Sequence, residues 1–409
     1  MTLALSHPVD PDVTLLVPDD DVVNPVVSIV VPALNEELTI GEFLHWCHEG
    51  LREAGVVGEI IIIDSSTDRT PQLALAGGAR VLRTPRRGLG RAYIDAVPMI
   101  RGQFVIMGDA DCTYDFRLLR PFVERFREGN DFVMGSRWKG TIEDGSMPFL
   151  HRYLGTPVTT GILNVLYSSR FSDIHCGMRG ITKDALERMS LASQSWEYAS
   201  EMVLKSVHMK LRTAEVPVRF LKDKEGRLSH HKRAGWFSPF QAAWINLKAM
   251  FIYGADFFLV KPGLALAMLG LVLTVPLSLG PVTIGPITFS LYWMLFGLAL
   301  CVLGIQSFYL GCIARLFYDY TGEVKARWLR RFRYNRAIGV SLGLMALGAA
   351  LAIPLAARYL TNGLALAGDI EPYNYLAVTG VLAAIAGFAT FTFTLVLHAA
   401  ALPRWGRGR

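Results

Sequence analysis

The segment Phe104-Val105-Ile106-Met107-Gly108-Asp109-Ala110-Asp111 is a continuous apolar run that stops at a glycine and two carboxylates. A short run of this kind, bounded by a turn signal, reads as a strand buried on both faces. Carboxylates at i and i+2, just past the strand's carboxyl end, can grip one hard cation between them. A cation held by few carboxylates plus substrate phosphates is a common way for proteins to handle a diphosphate. An Asp-x-Asp also occurs in solvated turns. The strand directly before it favours a site, because open α/β sheets bind ligands outside the carboxyl ends of their strands.

The same pattern repeats on both sides of this segment. Residues 26–31 form a run of valine and isoleucine, broken only by Ser28 and stopped by Pro32, 60–63 are isoleucines ending in Asp64, and 132–134 end in Gly135-Ser136. Across 26–234 such runs alternate with helical patterns, the signature of an α/β sheet. Strands ending in Asn35, Asp64, Asp109 and Ser136 build one rim with a shared site.

The rest of the chain is of another kind. A length of 409 residues gives room for two domains, and 52% hydrophobic residues with a mean hydropathy of +0.33 is too apolar for an ordinary soluble domain. The excess lies after Lys261. Four spans are expected over about 262–282, 287–314, 337–357 and 374–401, making 262–409 an all-α transmembrane domain of four helices. Pro276 is expected to bend the last turn of the first span. Just before it, residues 235–261 place Trp236, Phe237, Phe240, Trp244, Leu247, Met250, Phe251 and Phe257 at helical spacing. This reads as an interfacial amphipathic helix with aromatics at headgroup level, with a core helix as the alternative. Residues 1–25 are rich in Asp, Pro and Val without a basic region ahead of an apolar core, which reads as a disordered leader and not a secretory signal.

The formal charge of +6 does not point to nucleic acid. Many basic residues flank apolar runs, where anionic headgroups are the fitting partner. Between the second and third spans lie Arg315, Lys325, Arg327, Arg330, Arg331, Arg333 and Arg336 against only Asp319 and Glu323. The other connections are short or poor in basic residues, so the positive-inside rule puts both termini and the α/β domain of 26–234 in the cytoplasm. No ionisable residue lies mid-span to suggest an ion pathway. Five scattered cysteines without a CxxC pair argue against a disulfide framework or a zinc site.

Several motifs in order now converge. Pro32-Ala33-Leu34-Asn35-Glu36, Asp64-Ser65-Ser66-Thr67-Asp68-Arg69-Thr70, Gly88-Leu89-Gly90-Arg91-Ala92-Tyr93, Asp109-Ala110-Asp111 and Gly135-Ser136-Arg137 together resemble the family 2 glycosyltransferases of GT-A fold. The likeness is to the dolichol-phosphate mannose synthase and polyprenyl-phosphate glucosyltransferase branch, which often carries C-terminal membrane spans. It covers about half the chain. The resemblance implies that Pro32, Asn35 and Glu36 line the nucleotide pocket and that Asp64 grips the base or ribose. It implies that Asp109 and Asp111, with Ala110 between them, hold Mg²⁺ or Mn²⁺ against the donor diphosphate. It also implies that Ser136, Arg137, Arg152 and Thr156 receive the acceptor phosphate. One departure is that Arg69 stands where the family usually has glycine, which makes Asp64 the stronger base contact than Asp68. Glu197 and Glu201 share a helix face that is either solvated or lines the acceptor side. His175 and Cys176 find no third ligand with suitable spacing.

The implied reaction is an inverting transfer of a hexose from a nucleotide-sugar, UDP-glucose or GDP-mannose foremost, to a polyprenyl phosphate. The acceptor oxygen is already anionic at neutral pH, so no strong general base is required. Two rivals stand beside it. A processive polysaccharide synthase would use Gln-x-x-Arg-Trp, but Gln241-Ala242-Ala243-Trp244 lacks the arginine. A four-span transporter or flippase with a nucleotide-binding regulatory domain fits poorly with uncharged spans and no P-loop. Sugar, nucleotide, polyprenol length and any homo-oligomer are left open by the sequence.

Overall fold

The computed structural model describes residues 3–147, 151–167, 169–224, 244, 248, 251, 254, 256–317, 319, 322–365 and 371–402. The chain divides into two compact units, Met1–Tyr253 and Gly254–Arg409.

The first unit carries a nine-stranded mixed sheet. In chain order its elements are β1 (Leu3–Ser6), β2 (Thr14–Val17), β3 (Val27–Ala33), α1 (Ile40–Glu53), β4 (Gly58–Asp64), α2 (Thr70–Ala76), β5 (Arg80–Arg83), α3 (Leu89–Ala96), β6 (Phe104–Met107), α4 (Arg120–Arg127), β7 (Phe132–Ile142), α5 (Thr156–Tyr167), β8 (Arg179–Thr182), α6 (Lys183–Met189), α7 (Tyr198–His208) and β9 (Thr213–Phe220). Strand order is β1-β2-β5-β4-β3-β6-β8-β7-β9. The central block β5-β4-β3-β6 is parallel, and its apolar runs are buried on both faces, as parallel strands require. β8 enters antiparallel between β6 and β7, so β7 ends at the same edge as the central strands. The chain leaves β3 for β4 on one side and reaches β6 on the other. The strand order therefore reverses between β3 and β6, whose carboxyl ends lead to Asn35 and Asp109, the place where open α/β sheets bind ligands.

The first 25 residues correct an expectation. They are not a disordered leader: β1 and β2 form a hairpin whose second strand pairs antiparallel with β5. Val13 and Leu15 are fully buried, and Val17 nearly so. The acids that suggested disorder are partnered instead. Asp12 meets Arg87 at 2.8 Å, Asp10 pairs with Arg87 and Arg91, and Asp21 takes a two-pronged contact from Arg101 at 3.0 Å.

Most of the expected interfacial helix lies outside the described residues, as does the stretch with Arg227, His230, His231 and Lys232. A π-helical turn, Asp256–Val260, leads into α8 (Lys261–Leu277), which stops one residue after Pro276. A small hairpin of β10 (Val282–Ile284) and β11 (Ile287–Phe289) occupies the turn that follows. Then come α9 (Leu291–Phe317), a short helix α10 (Glu323–Arg331), α11 (Tyr334–Thr361) and α12 (Pro372–Ala401). Four helices, over Phe257–Leu277, Leu291–Phe317, Tyr334–Thr361 and Pro372–Ala401, are long and apolar enough to cross a membrane. They pair through small residues. A Cβ on Gly270 would stand 2.6 Å from the Cys301 nitrogen, and one on Gly348 2.5 Å from the Gly380 carbonyl oxygen. Close backbone approach of this kind is how helices associate in lipid.

Candidate active site

The loop after β3 and the loop after β4 are sewn together. Asn35 adopts a left-handed φ of 57°, tolerable for asparagine, and its N–H donates to Ser66 Oγ at 2.7 Å. Its side-chain oxygen accepts the Thr67 N–H at 3.0 Å, and the Glu36 N–H donates to Thr70 Oγ1 at 2.9 Å. Pro32 lies inside β3, which runs on to Ala33. Asp64, at the end of β4, is fully buried and pairs with Arg83 through Oδ2. Its Oδ1 is buried without a hydrogen-bond partner among the described residues. A carboxylate oxygen left so is costly unless a donor reaches it, and an imide N–H or ribose hydroxyl would suit.

Asp68 sits differently. It closes its own turn, accepting the Thr70 N–H at 2.9 Å and the Glu37 N–H at 3.3 Å. Burial works against its charge, but the Thr70 and backbone hydrogen bonds prevail and hold the carboxyl below its usual range. Arg69, where a glycine was expected, lays its Nε on Glu37 at 2.7 Å. Glu36 is buried beneath Thr39, whose hydroxyl lies 3.2 Å from Glu36 Oε2 and 3.0 Å from the Ala110 carbonyl oxygen. The loop after β3 and the Asp-x-Asp turn therefore share a hydroxyl.

Asp109 and Asp111 emerge half-buried from the end of β6, with Ala110 buried between them. Cys112, at φ 59°, turns the chain back, and Asp111 Oδ1 accepts the Thr113 N–H at 3.0 Å and its hydroxyl at 2.6 Å. Tyr93 donates its hydroxyl to the Gly108 carbonyl at 3.0 Å, and burial pushes that phenol well above its ordinary range. Gly177 crosses in front of Asp109: a Cβ there would lie 2.7 Å from Asp109 Oδ2. Among the described residues no trio of His, Cys, Asp or Glu forms a complete metal cage. Two hard carboxylates at an open strand end fit a divalent ion that takes its remaining ligands from phosphate and water.

On the acceptor side the four expected residues part company. Ser136 is buried, with its hydroxyl 2.7 Å from that of Ser172. Arg137 has a different partner from the one its motif implies: Nε and Nη2 grip the two oxygens of Asp173 at 2.6 and 2.8 Å. Asp173 is fully buried, and Arg137 nearly so. Burial opposes the guanidinium charge, while Tyr114 and Asp173 hold it protonated more firmly than usual. Arg152 is held loosely. It lies in the turn His151–Gly155, 3.9 Å from fully exposed Asp144, with its guanidinium 5.5 Å from the Tyr153 ring and its Nε buried without a hydrogen-bond partner among the described residues. Thr156 is buried where α5 begins.

Some residues do work that the sequence did not announce. Glu201 is no solvated helix face: it pairs with Lys205 at 2.5 Å and accepts the Ala192 and Ser193 N–H groups at 2.9 and 2.8 Å. That loop presses on the glycine-rich turn, where a Cβ at Gly90 would come within 2.1 Å of the Ser193 carbonyl oxygen. Glu197 caps the same loop from Ser195 at 3.3 Å. Cys176 is fully buried, and burial pushes its thiol up to about 12, so it is no nucleophile. His175 meets the Thr159 hydroxyl at 3.0 Å.

With this geometry in view, comparison with known proteins is direct. The model of Glycosyl transferase family 2 matches residues 28–190, and that of the Glycosyltransferase family 2 C-terminal transmembrane region matches 312–401. The low-salt glycan biosynthesis hexosyltransferase Agl6 of Haloferax volcanii is 36% identical over 311 residues, covering 75% of this chain and 72% of that protein. A dolichyl-phosphate hexose transferase from the same organism is 28% identical over 193 residues, 47% of this chain and 82% of the other. Among solved structures, glucosyl-3-phosphoglycerate synthase of Mycobacterium tuberculosis with Mn²⁺, uridine diphosphate and glucosyl-3-phosphoglycerate aligns over 56% of this chain and 80% of that one. The TM-score is 0.43 and the identity 20%.

Proposed function

The chain belongs to glycosyl transferase family 2, and we propose that it moves a hexose from a nucleotide-sugar to a polyprenyl phosphate at the cytoplasmic face of a membrane. It is a membrane-integral transferase with an α/β GT-A domain and a C-terminal region of four candidate spans. The observation that carries the finer reading is the parallel edge itself. It aligns the buried Asp64, with one oxygen open to a donor, and the half-buried Asp109 and Asp111 on one rim. The names of the Haloferax relatives supply the sugar class and, in one case, the lipid-phosphate acceptor.

In this reading Asp64 takes the nucleoside, with Pro32, Asn35 and Glu36 shaping the pocket. Mg²⁺ or Mn²⁺ held by Asp109 and Asp111 would supply Lewis-acid stabilisation of the departing diphosphate. Arg152 holds the acceptor phosphate beside Ser136 and Thr156, while Arg137 acts through Asp173 to fix that wall. An anionic phosphate oxygen forms the new bond at the anomeric carbon from the face opposite the nucleotide. The nucleoside diphosphate leaves with the bonding electrons. Positioning does most of the work, since the nucleophile needs no base.

The test offers radiolabelled UDP-glucose, GDP-mannose and UDP-N-acetylglucosamine separately, with a polyprenyl phosphate, to the purified full-length protein. One donor should put label into the organic-extractable lipid, and Asp111→Asn should lower that transfer at least ~100-fold. Label in a chain longer than one sugar would favour a processive synthase. No lipid label with any of the three donors would remove the polyprenyl-phosphate assignment.

A further inference from the structure

The connection between α9 and α11 is basic in sequence, but it is not a loop: α10 fills it, and its side chains sort by face. Trp328, Leu329 and Phe332 pack against the buried Cys312, Phe393 and Leu397, whereas Ala326, Arg327, Arg330, Arg331 and Arg333 are exposed. The inward face is docked. Trp328 meets Phe308 edge-on at 5.8 Å, and Phe332 meets Phe393 at 4.9 Å and Tyr309 at 6.1 Å. These partners lie on α9 and α12, both candidate spans.

The depth of α10 follows from span lengths. α9 has 27 residues and α11 has 28. At a rise of 1.5 Å per residue each exceeds 40 Å, against a hydrocarbon core of about 30 Å. Their ends at Phe317 and Tyr334 therefore reach into the headgroup layer, and α10, joined to both within a few residues, lies there too. A tryptophan on the inward face suits that level. The outward arginines have no carboxylate to neutralise them: among the described residues Arg327, Arg330, Arg331 and Arg333 make no ion pair. Unpaired guanidinium forks at headgroup depth match phosphodiesters in charge and geometry.

We infer that α10 is a lipid-binding helix whose Arg327–Arg330–Arg331 face takes the phosphates of anionic phospholipid headgroups. This goes beyond the transfer reaction and does not depend on it. The partner is bulk lipid, because α10 joins the ends of two spans at the level that bulk headgroups fill.

Native mass spectrometry of the detergent-purified full chain, given equal amounts of phosphatidylglycerol and phosphatidylcholine, reads this directly. The wild type should retain phosphatidylglycerol preferentially. The triple change Arg327→Gln, Arg330→Gln, Arg331→Gln should lower that preference on the order of 10- to 100-fold. The triple Arg→Lys protein, which guards against loss of fold, should keep most of it. A control with Arg120→Gln, Arg125→Gln and Arg188→Gln, exposed cations of the other unit, should leave it unchanged. Equal preference in the wild type and the Gln protein would overturn the inference. So would a wild type that prefers a short polyprenyl phosphate over phosphatidylglycerol and loses that preference in the Gln protein, since α10 would then be an acceptor site.

Discussion

Arg137 Nε and Nη2 donate to Asp173 at 2.6 and 2.8 Å where neither side chain sees appreciable solvent, whereas Arg152 faces an exposed carboxylate at 3.9 Å. Equal formal charge thus leads to unequal consequences. Arg137→Ala strands a buried carboxylate, which costs roughly 3–5 kcal/mol. Thermal or denaturant unfolding should show that loss for Arg137→Ala. Arg152→Ala should melt within about 1 kcal/mol of wild type, since only a weak surface pair is removed. Kinetics should invert the order of effects. With donor saturating, Arg152→Ala should raise the apparent KM for lipid phosphate about 10- to 100-fold, the worth of a charge-assisted contact. An unchanged acceptor dependence would move the acceptor phosphate off Arg152. The motif Gly135-Ser136-Arg137 was legible in the sequence, but the partner of Arg137 was not. Asp173 lies 36 residues on, and only the return of the chain through β8 brings it alongside.

The same contrast holds among the strands. β3, β4 and β6 are buried on both faces, so their apolar runs are continuous and could be read directly. Even there the boundaries moved: β3 runs through Pro32 to Ala33, and β7 continues well past Met134 to Ile142. β1 and β2 escaped notice because they sit at the sheet's edge, short and interleaved with acids that find arginines only once the fold has formed. α10 escaped for a related reason, since its arginines interrupt the few apolar residues that dock it. The hairpin has a measurable consequence. Leu15 is fully buried, so Leu15→Ala should destabilise the catalytic unit by about 2–5 kcal/mol, seen as a fall in its unfolding midpoint. Residues in a disordered leader would give no such effect. A midpoint within error of wild type would mean the hairpin does not pair in solution.

Membrane orientation joins the two units to one reaction, and we propose that the basic connection faces the cytoplasm. It carries Arg315, Lys325, Arg327, Arg330, Arg331, Arg333 and Arg336 against Asp319 and Glu323. On the other side, the connection between α11 and α12 carries no lysine or arginine, and the nearest cation, Arg358 in the last turn of α11, pairs through Nη1 and Nη2 with the Glu371 carboxylate at 2.7 and 2.8 Å. The asymmetry in lysine and arginine between the two sides is what biases topology. With four spans, the side holding the basic connection is also the side from which the chain enters its first span. Ala326→Cys and Asn362→Cys, both exposed positions, can be probed in intact cells with a membrane-impermeant maleimide. The five native cysteines are all buried, so background labelling should be low. Asn362→Cys should label in intact cells, and Ala326→Cys only after permeabilisation. The reverse pattern would place the Asp64 and Asp109 rim outside, away from the intracellular pool of nucleotide-sugars. The proposed reaction would then lack its donor, whatever the rim can bind.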